Sequence, residues 1–154
     1  MSRAAIGIGS NVGDAAAHVR AAFARLAAVG EVVARSGLYR TAPWGVRDQA
    51  PFVNAAALVE TALAPGELLA ALKTIEREAG RLPTYRWGPR VLDLDILAYD
   101  DVRVDEPALT IPHPRLTERA CALVPLATID ARWETARDAL PPGERAQVVE
   151  LSAR

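Results

Sequence analysis

The 154-residue chain is 51% hydrophobic with a formal net charge of −1, which fits a one-domain globular protein and argues against disorder or a nucleic-acid binder held by bulk charge. Lys73 is the only lysine, so the abundance of arginine is a compositional habit that says little about function by itself. The lone Cys121 excludes an internal disulfide and a cysteine-built zinc site, no apolar run reaches membrane-spanning length, and Met1-Ser2-Arg3 leads into a strand rather than a signal peptide, so a cytoplasmic protein is expected.

Ala4 to Ser10 reads as a short buried strand. Asn11 or Asp14 caps a helix that runs to about Val29, with Val19, Phe23 and Leu26 on its apolar face and Gly30 as its stop. Glu31 to Tyr39 reads as a second strand. Arg40 to Pro51 is a loop, long for a compact domain, and such loops tend to carry function. A third strand, Phe52 to Glu60, places Phe52, Asn54, Ala56 and Leu58 on one face. Pro65 opens a second helix with an apolar stripe of Leu68, Leu72, Ile75 and Ala79, ended by Gly80.

The loop Arg81 to Arg90 then holds three arginines and no acid, and feeds a central strand that runs to about Tyr99. In that strand Leu92, Leu94 and Ile96 alternate with Asp93 and Asp95, so the two acids share the face opposite the leucines. Two residues along a strand span roughly 7 Å at the Cα level. Carboxylates so spaced can converge on a hard cation or straddle two metals. Asp is depleted in strands, and like charges on one face need compensation. A divalent metal with a polyphosphate would supply it, the carboxylates holding the metal and the arginines the phosphate oxygens. The plainer alternative is a solvated strand edge with salt bridges to Arg90.

The order to this point, β-α-β-β-α-β, predicts a ferredoxin-like α+β fold: an antiparallel sheet with two helices on one face and C-terminal additions. Asp100 to Pro112 reads as a turn and short edge segment, and Arg115 to Ile129 as helix in pieces. A single domain over residues 1–154 is expected, with its core in 1–129 and a polar, loosely attached tail over 130–154.

Gly7-Ile8-Gly9-Ser10-Asn11-Val12-Gly13 superficially suggests a dinucleotide fingerprint, but the spacing is one residue too long and the following strands do not alternate with helices. No P-loop motif is present. His113, fenced by Pro112 and Pro114, has a fixed backbone suited to aiming a side chain, and Arg115 and Arg119 close behind it favour phosphate contact over a plain surface turn. His18 lies mid-helix on the polar side. Asn54, if buried, needs partners that a flat heterocycle stacked on Phe52 could provide; on an outer face it would simply be solvated.

These residues together resemble the 6-hydroxymethyl-7,8-dihydropterin pyrophosphokinase family, from the first strand to about Leu126. The resemblance rests on Ile8-Gly9-Ser10-Asn11; Tyr39-Arg40-Thr41 with Pro43 and Gly45; Phe52-Val53-Asn54-Ala55; Glu76 before Gly80-Arg81; Arg86-Trp87-Gly88-Pro89-Arg90 running into Leu92-Asp93-Leu94-Asp95-Ile96; and Pro112-His113-Pro114-Arg115 with Arg119. It implies ATP-dependent transfer of pyrophosphate to the pterin's hydroxymethyl oxygen, with release of AMP, in folate biosynthesis.

By the same resemblance Asp93 and Asp95 would hold two magnesium ions, and Arg81, Arg90, His113 and Arg119 would bind ATP phosphates or the transferring group. Trp87 would help close the arginine loop. Lys73, Glu76, Ile96, Leu109 and Thr110 would line the nucleotide pocket, with Thr110 on the adenine. Thr41, Pro43 and Asn54 would bond the pterin edge, and Phe52 would stack on its ring. The implied partners are these two small molecules, with no nucleic acid or membrane, and a monomer is expected.

The chain departs from the family in three places. Cys121 stands where an aromatic usually covers the pterin's other face, a loss of about 1 kcal/mol beyond area burial. The arginine loop looks about one residue shorter. Trp44 occupies a loop position that is commonly aliphatic, and it joins the expected pterin contacts with Cys121. A non-catalytic nucleotide- or pterin-binding module is the alternative function. RNA binding on the sheet is disfavoured, because Asp93 and Asp95 would repel phosphates and paired aromatics are lacking there.

Overall fold

A computed structural model describes residues 1–41, 51–80 and 91–151. Strand β1 (Ser2–Ser10) begins at Ser2 rather than Ala4. Helix α1 (Ala15–Arg25) is capped by Asp14, whose Oδ1 accepts from the Ala17 N–H at 3.1 Å. A 3-10 turn, Leu26–Ala28, completes the helix, and Val19, Phe23 and Leu26 are buried as their spacing predicts. At Gly30 the chain passes so close to β4 (Phe52–Thr61) that a Cβ would collide with the Glu60 carbonyl oxygen.

The single strand expected over 31–39 is two strands, β2 (Glu31–Arg35) and β3 (Tyr39–Thr41), both antiparallel to β4. The physical reason is a surplus residue. Between the pairs Arg35–Ala57 and Tyr39–Asn54, residues 36–38 oppose only residues 55–56. Ser36 absorbs the surplus: its N–H donates to the Ala56 carbonyl at 2.9 Å and its Oγ accepts from the Ala56 N–H at 2.8 Å.

Helix α2 (Pro65–Glu78) starts on Pro65, with the Glu67 carboxylate accepting from the Ala64 N–H at 2.9 Å. Strand β5 (Asp93–Tyr99) pairs antiparallel with β1, and β6 (Val104–Glu106) and β7 (Leu109–Ile111) form a separate hairpin. The chain ends with α3 (Ala120–Ala127), α4 (Glu134–Ala139), α5 (Pro142–Ala146) and β8 (Val149–Glu150).

The main sheet runs β5-β1-β4-β3-β8, with β2 beside β3 on the same side of β4. Taking β2 and β3 as one interrupted strand, the four core strands lie in the order fourth, first, third, second, the ferredoxin-like arrangement. The acid-bearing strand, expected to be central, is therefore at the sheet edge. The reason is topological: among the described residues β5 pairs only with β1, and β4 takes the other side of β1.

Both sheet faces are covered. On one, Ile6, Ile8, Val53, Val59, Leu94 and Ile96 meet Phe23, Leu26, Leu68 and Leu72 of the first two helices. On the other, Ala5, Ala56, Ala98, Leu58 and Leu97 meet Leu123 and Leu126 of α3. The three alanines leave the space into which α3 packs. The tail is not loosely attached. Leu140 is buried in this second core, Trp133 packs against it, and the Leu151 N–H donates to the Leu38 carbonyl at 2.8 Å. A few apolar anchors in a polar segment are enough to seat it, and averaged composition hides them. No helix among the described residues is long and apolar enough to cross a membrane.

Candidate active site

The α3 layer covers only part of its sheet face. Beyond it, the register sets one row of Asp93, Gly9, Asn54 and Tyr39, and next to it a row of Asp95, Gly7 and Ala56. Residues in register on adjacent strands share a face, so the acids and Asn54 stand on the same surface, separated by glycine. A Cβ at Gly9 would crowd Asn54, lying 3.0 Å from its Oδ1, and would touch the Phe52 ring at 3.7 Å. Gly7 is covered by Leu97, which the bulge in β5 swings over it.

Asn54 is half-buried, and its Nδ2 donates to Thr41 Oγ1 at 2.8 Å. Phe52 pairs with Thr41 in register. Three expected pterin contacts are thus together at one end of the β3–β4 ladder, with Asn54 Oδ1 above Gly9. The other two contacts on this side, Pro43 and Trp44, lie outside the described residues.

On the far side of the glycines, Asp93 and Asp95 are half-buried on the face opposite the main core, as the alternation predicts. Burial drives the Asp95 carboxyl up to about 7; the charges of Asp93 and Glu76 push the same way, against Arg119 and Lys73. Negative charge is thus concentrated around Asp95 among the described residues. No group of three His, Cys, Asp or Glu able to hold a metal occurs among the described residues. Two carboxylates on one face suit magnesium, which takes one or two protein carboxylates and completes its shell with phosphate and water.

Arg119 precedes α3 in extended conformation, and its charge acts on Asp95, His113 and Cys121 together. Burial, aided by the Arg119 charge, pulls the His113 pKa down, so the ring is neutral at pH 7. Its Nδ1 accepts from the Arg115 N–H at 3.3 Å, which leaves the proton on Nε2 as a donor. The His113 N–H is tied to the Leu97 carbonyl at 2.9 Å, on the bulge of the acid-bearing strand. Cys121 is half-buried beside these groups. Burial pushes its thiol pKa up, so it serves as a small apolar wall rather than a nucleophile.

The expected nucleotide residues divide. Lys73 and Glu76 lie on α2, with Nζ and Oε1 3.9 Å apart. Leu109 and Thr110 are half-buried on β7, beside β5. Ile96 is different: its side chain is buried in the main core opposite Ile6, so only its main chain is left to face a pocket. Arg81, Trp87 and Arg90 lie outside the described residues.

Sequence reasoning missed the glycine gap and, although it named Glu76 as a nucleotide-pocket residue, missed the burial of its side chain against β5. The glycine gap was legible only as a false dinucleotide motif. Glu76 was legible in principle, because it continues the spacing Leu68-Leu72 by another four residues and so places an acid on the buried stripe of α2.

The family model for 7,8-dihydro-6-hydroxymethylpterin-pyrophosphokinase matches residues 5–131. The 2-amino-4-hydroxy-6-hydroxymethyldihydropteridine pyrophosphokinase of Methylorubrum extorquens is 48% identical over 146 residues, covering 91% of this chain and 92% of the relative. The Bacillus subtilis protein of the same name is 46% identical over 127 residues, covering 80% and 75%. Among solved structures, one of Plasmodium falciparum HPPK-DHPS superposes with a TM-score of 0.68 at 14% identity over 83% of this chain. That likeness shows the fold, and this chain spans 41% of the Plasmodium chain. A match over most of its length, to relatives nearly half identical, shows that the chain belongs to the 7,8-dihydro-6-hydroxymethylpterin-pyrophosphokinase family.

Proposed function

We propose that this chain, a pyrophosphokinase of folate biosynthesis, carries out its transfer on the open sheet face between Asp93–Asp95 and Thr41–Asn54. ATP is the co-substrate, 6-hydroxymethyl-7,8-dihydropterin the acceptor, and the products are the pterin diphosphate and AMP. The observation that carries the assignment is the shared register: acids on β5 and a bonded Thr41–Asn54 pair on β3 and β4, with glycine between them.

Transfer of this kind depends on positioning and charge neutralisation more than on covalent help. Asn54 and Thr41 orient the pterin edge, with the Phe52 ring against its face and Cys121 closing the opposite side. His113 donates from Nε2 to a phosphate oxygen, and Arg119 offsets charge gathering between nucleotide and acceptor. Arg81 and Arg90 grip the phosphates and Trp87 helps close over them, while Pro43 bonds the pterin edge through its carbonyl and Trp44 covers the pterin. Lys73, Leu109, Thr110 and the main chain of Ile96 border the nucleotide, with Thr110 at the adenine. Asp93 and Asp95 would hold magnesium, two ions in this proposal, which when bound neutralises phosphate charge and lowers the pKa of a bound hydroxyl.

The proposal takes the enzyme as a monomer acting in the cytoplasm. The relatives carry enzyme names, which favours catalysis over a non-catalytic binding module. The test is AMP formation from ATP and the hydroxymethyl dihydropterin. Asp93→Ala and Asp95→Ala should each lower kcat by roughly a thousandfold with an unchanged far-UV spectrum. Near-normal turnover in both would refute the assignment.

A further inference from the structure

Glu76 is one of the few charged or polar side chains that the fold buries, at 2% exposure. Its Oε2 accepts from the main-chain N–H of Leu94 at 2.7 Å. Leu94 is the residue between the two acids. Along a strand, successive N–H groups point to opposite sides, and β5 is the edge of its sheet, with β1 on one side only. Among the described residues no strand lies on the side that the Leu94 N–H faces, and a carboxylate from α2 takes that place.

The bond also fixes the two neighbours. The Leu94 side chain is locked into the main core. With its N–H held from outside, the peptide plane between Asp93 and Leu94 is fixed, and with it the direction in which Asp93 and Asp95 leave the strand. A solvated edge would have been satisfied by water; this one is served by a group that costs free energy to bury as a charge.

We infer that Glu76 is a positioning residue of the metal-holding pair: it acts through the Leu94 N–H to aim Asp93 and Asp95, and is not in the first place a nucleotide contact. This rests on the assignment of those two acids to magnesium. Glutamine keeps an acceptor oxygen at the same reach and loses the charge; alanine loses both. In Glu76→Ala the magnesium concentration giving half-maximal turnover should rise about 10- to 100-fold, the range for groups that orient metal ligands. Affinity for an unreactive ATP analogue measured in EDTA should be unchanged. Glu76→Gln should recover most of the magnesium dependence, to within about fivefold, as expected when a neutral acceptor replaces a charged one.

A readout independent of activity is amide hydrogen exchange at Leu94 by NMR: slow in the parent and in Glu76→Gln, fast in Glu76→Ala, with core amides such as Ile6 unchanged in all three. Loss of analogue affinity in EDTA would overturn the inference in favour of direct nucleotide contact. A glutamine variant as impaired as alanine would overturn it in favour of bare charge. Asp95→Asn serves as the control. A parent-like magnesium dependence there would remove the metal assignment and this inference with it, whereas a raised requirement in Asp95→Asn beside a normal one in Glu76→Ala would overturn the inference alone.

Discussion

Asp95 carries a penalty that the folded chain accepts for the sake of its site. Burial and two neighbouring carboxylates hold its pKa near 7, against 3.8 for an ordinary aspartate. Between those values the native state keeps a proton that the unfolded chain has released. Stability must then fall as pH rises through that window and level off above it. The metal-free protein should therefore lose stability between pH 3.8 and about 7 through this group, and Asp95→Asn should show a shallower decline, read from urea midpoints at a series of pH values. Equal slopes in the two proteins would mean that the carboxyl is not held protonated. Magnesium bound to the folded state alone should raise the parent's midpoint above pH 7 and leave Asp95→Asn unmoved. The acids were legible in the sequence because strand alternation is strict and Asp is rare in strands. Glu76 was not read for what it is, because a helix acid is ordinarily solvated, and only the fold shows that its stripe faces β5. Cys121 was noticed as a departure, but its neighbours Arg119 and Asp95 come together only in the folded chain.

At the level of elements, the junction between α1 and β2 shows how local chemistry sets the sheet. The helix ends in a 3-10 turn, and the chain then comes against β4 so tightly that Gly30 has no room for a methyl group. Thr61 closes the junction: its Oγ1 donates to the Val29 carbonyl at 2.6 Å and accepts from the Leu63 N–H at 3.1 Å. Gly30→Ala would push a methyl into main chain that cannot yield without breaking the β2–β4 pairing. A loss of about 2–4 kcal/mol is expected, beyond the usual cost of overpacking, measured by urea denaturation; a loss under about 1 kcal/mol would show that β2 shifts freely. The elements themselves were largely readable. Helix stripes, the glycine stops and the β-α-β-β-α-β order follow from periodicity that one face of burial imposes. What could not be read was pairing. The break at Ser36 depends on a residue surplus against β4, and the edge position of β5 depends on which strand β1 accepts on each side. Both are set by contacts between segments far apart in sequence.

For the molecule as a whole, the sheet is a partition between two cores, and the site lies on the face that α3 only partly covers. This gives the C-terminal segment a role its composition conceals. It supplies α4 and α5, buries Leu140, and returns β8 to the open side of β3, where Tyr39 and Arg40 pair with Glu150 and Val149. Tyr39 stands in the row of Asn54, and Thr41 next along β3 bonds that asparagine. The last turns of chain therefore brace the strand that carries Thr41, a proposed pterin contact, and the second core should melt together with the first. Leu140→Ala tests this. If the segment is an integral layer, truncating a buried leucine should cost about 2–4 kcal/mol and shift a single transition, seen alike by far-UV signal and by tryptophan fluorescence. The KM for the pterin should rise as β3 loosens, with the KM for ATP much less affected, because the proposed nucleotide groups Lys73, Leu109 and Thr110 stand on α2 and β7, away from β3. An unchanged midpoint, or a fluorescence transition that precedes the far-UV one, would show that the segment folds as an appendage and that β3 is held by β4 alone.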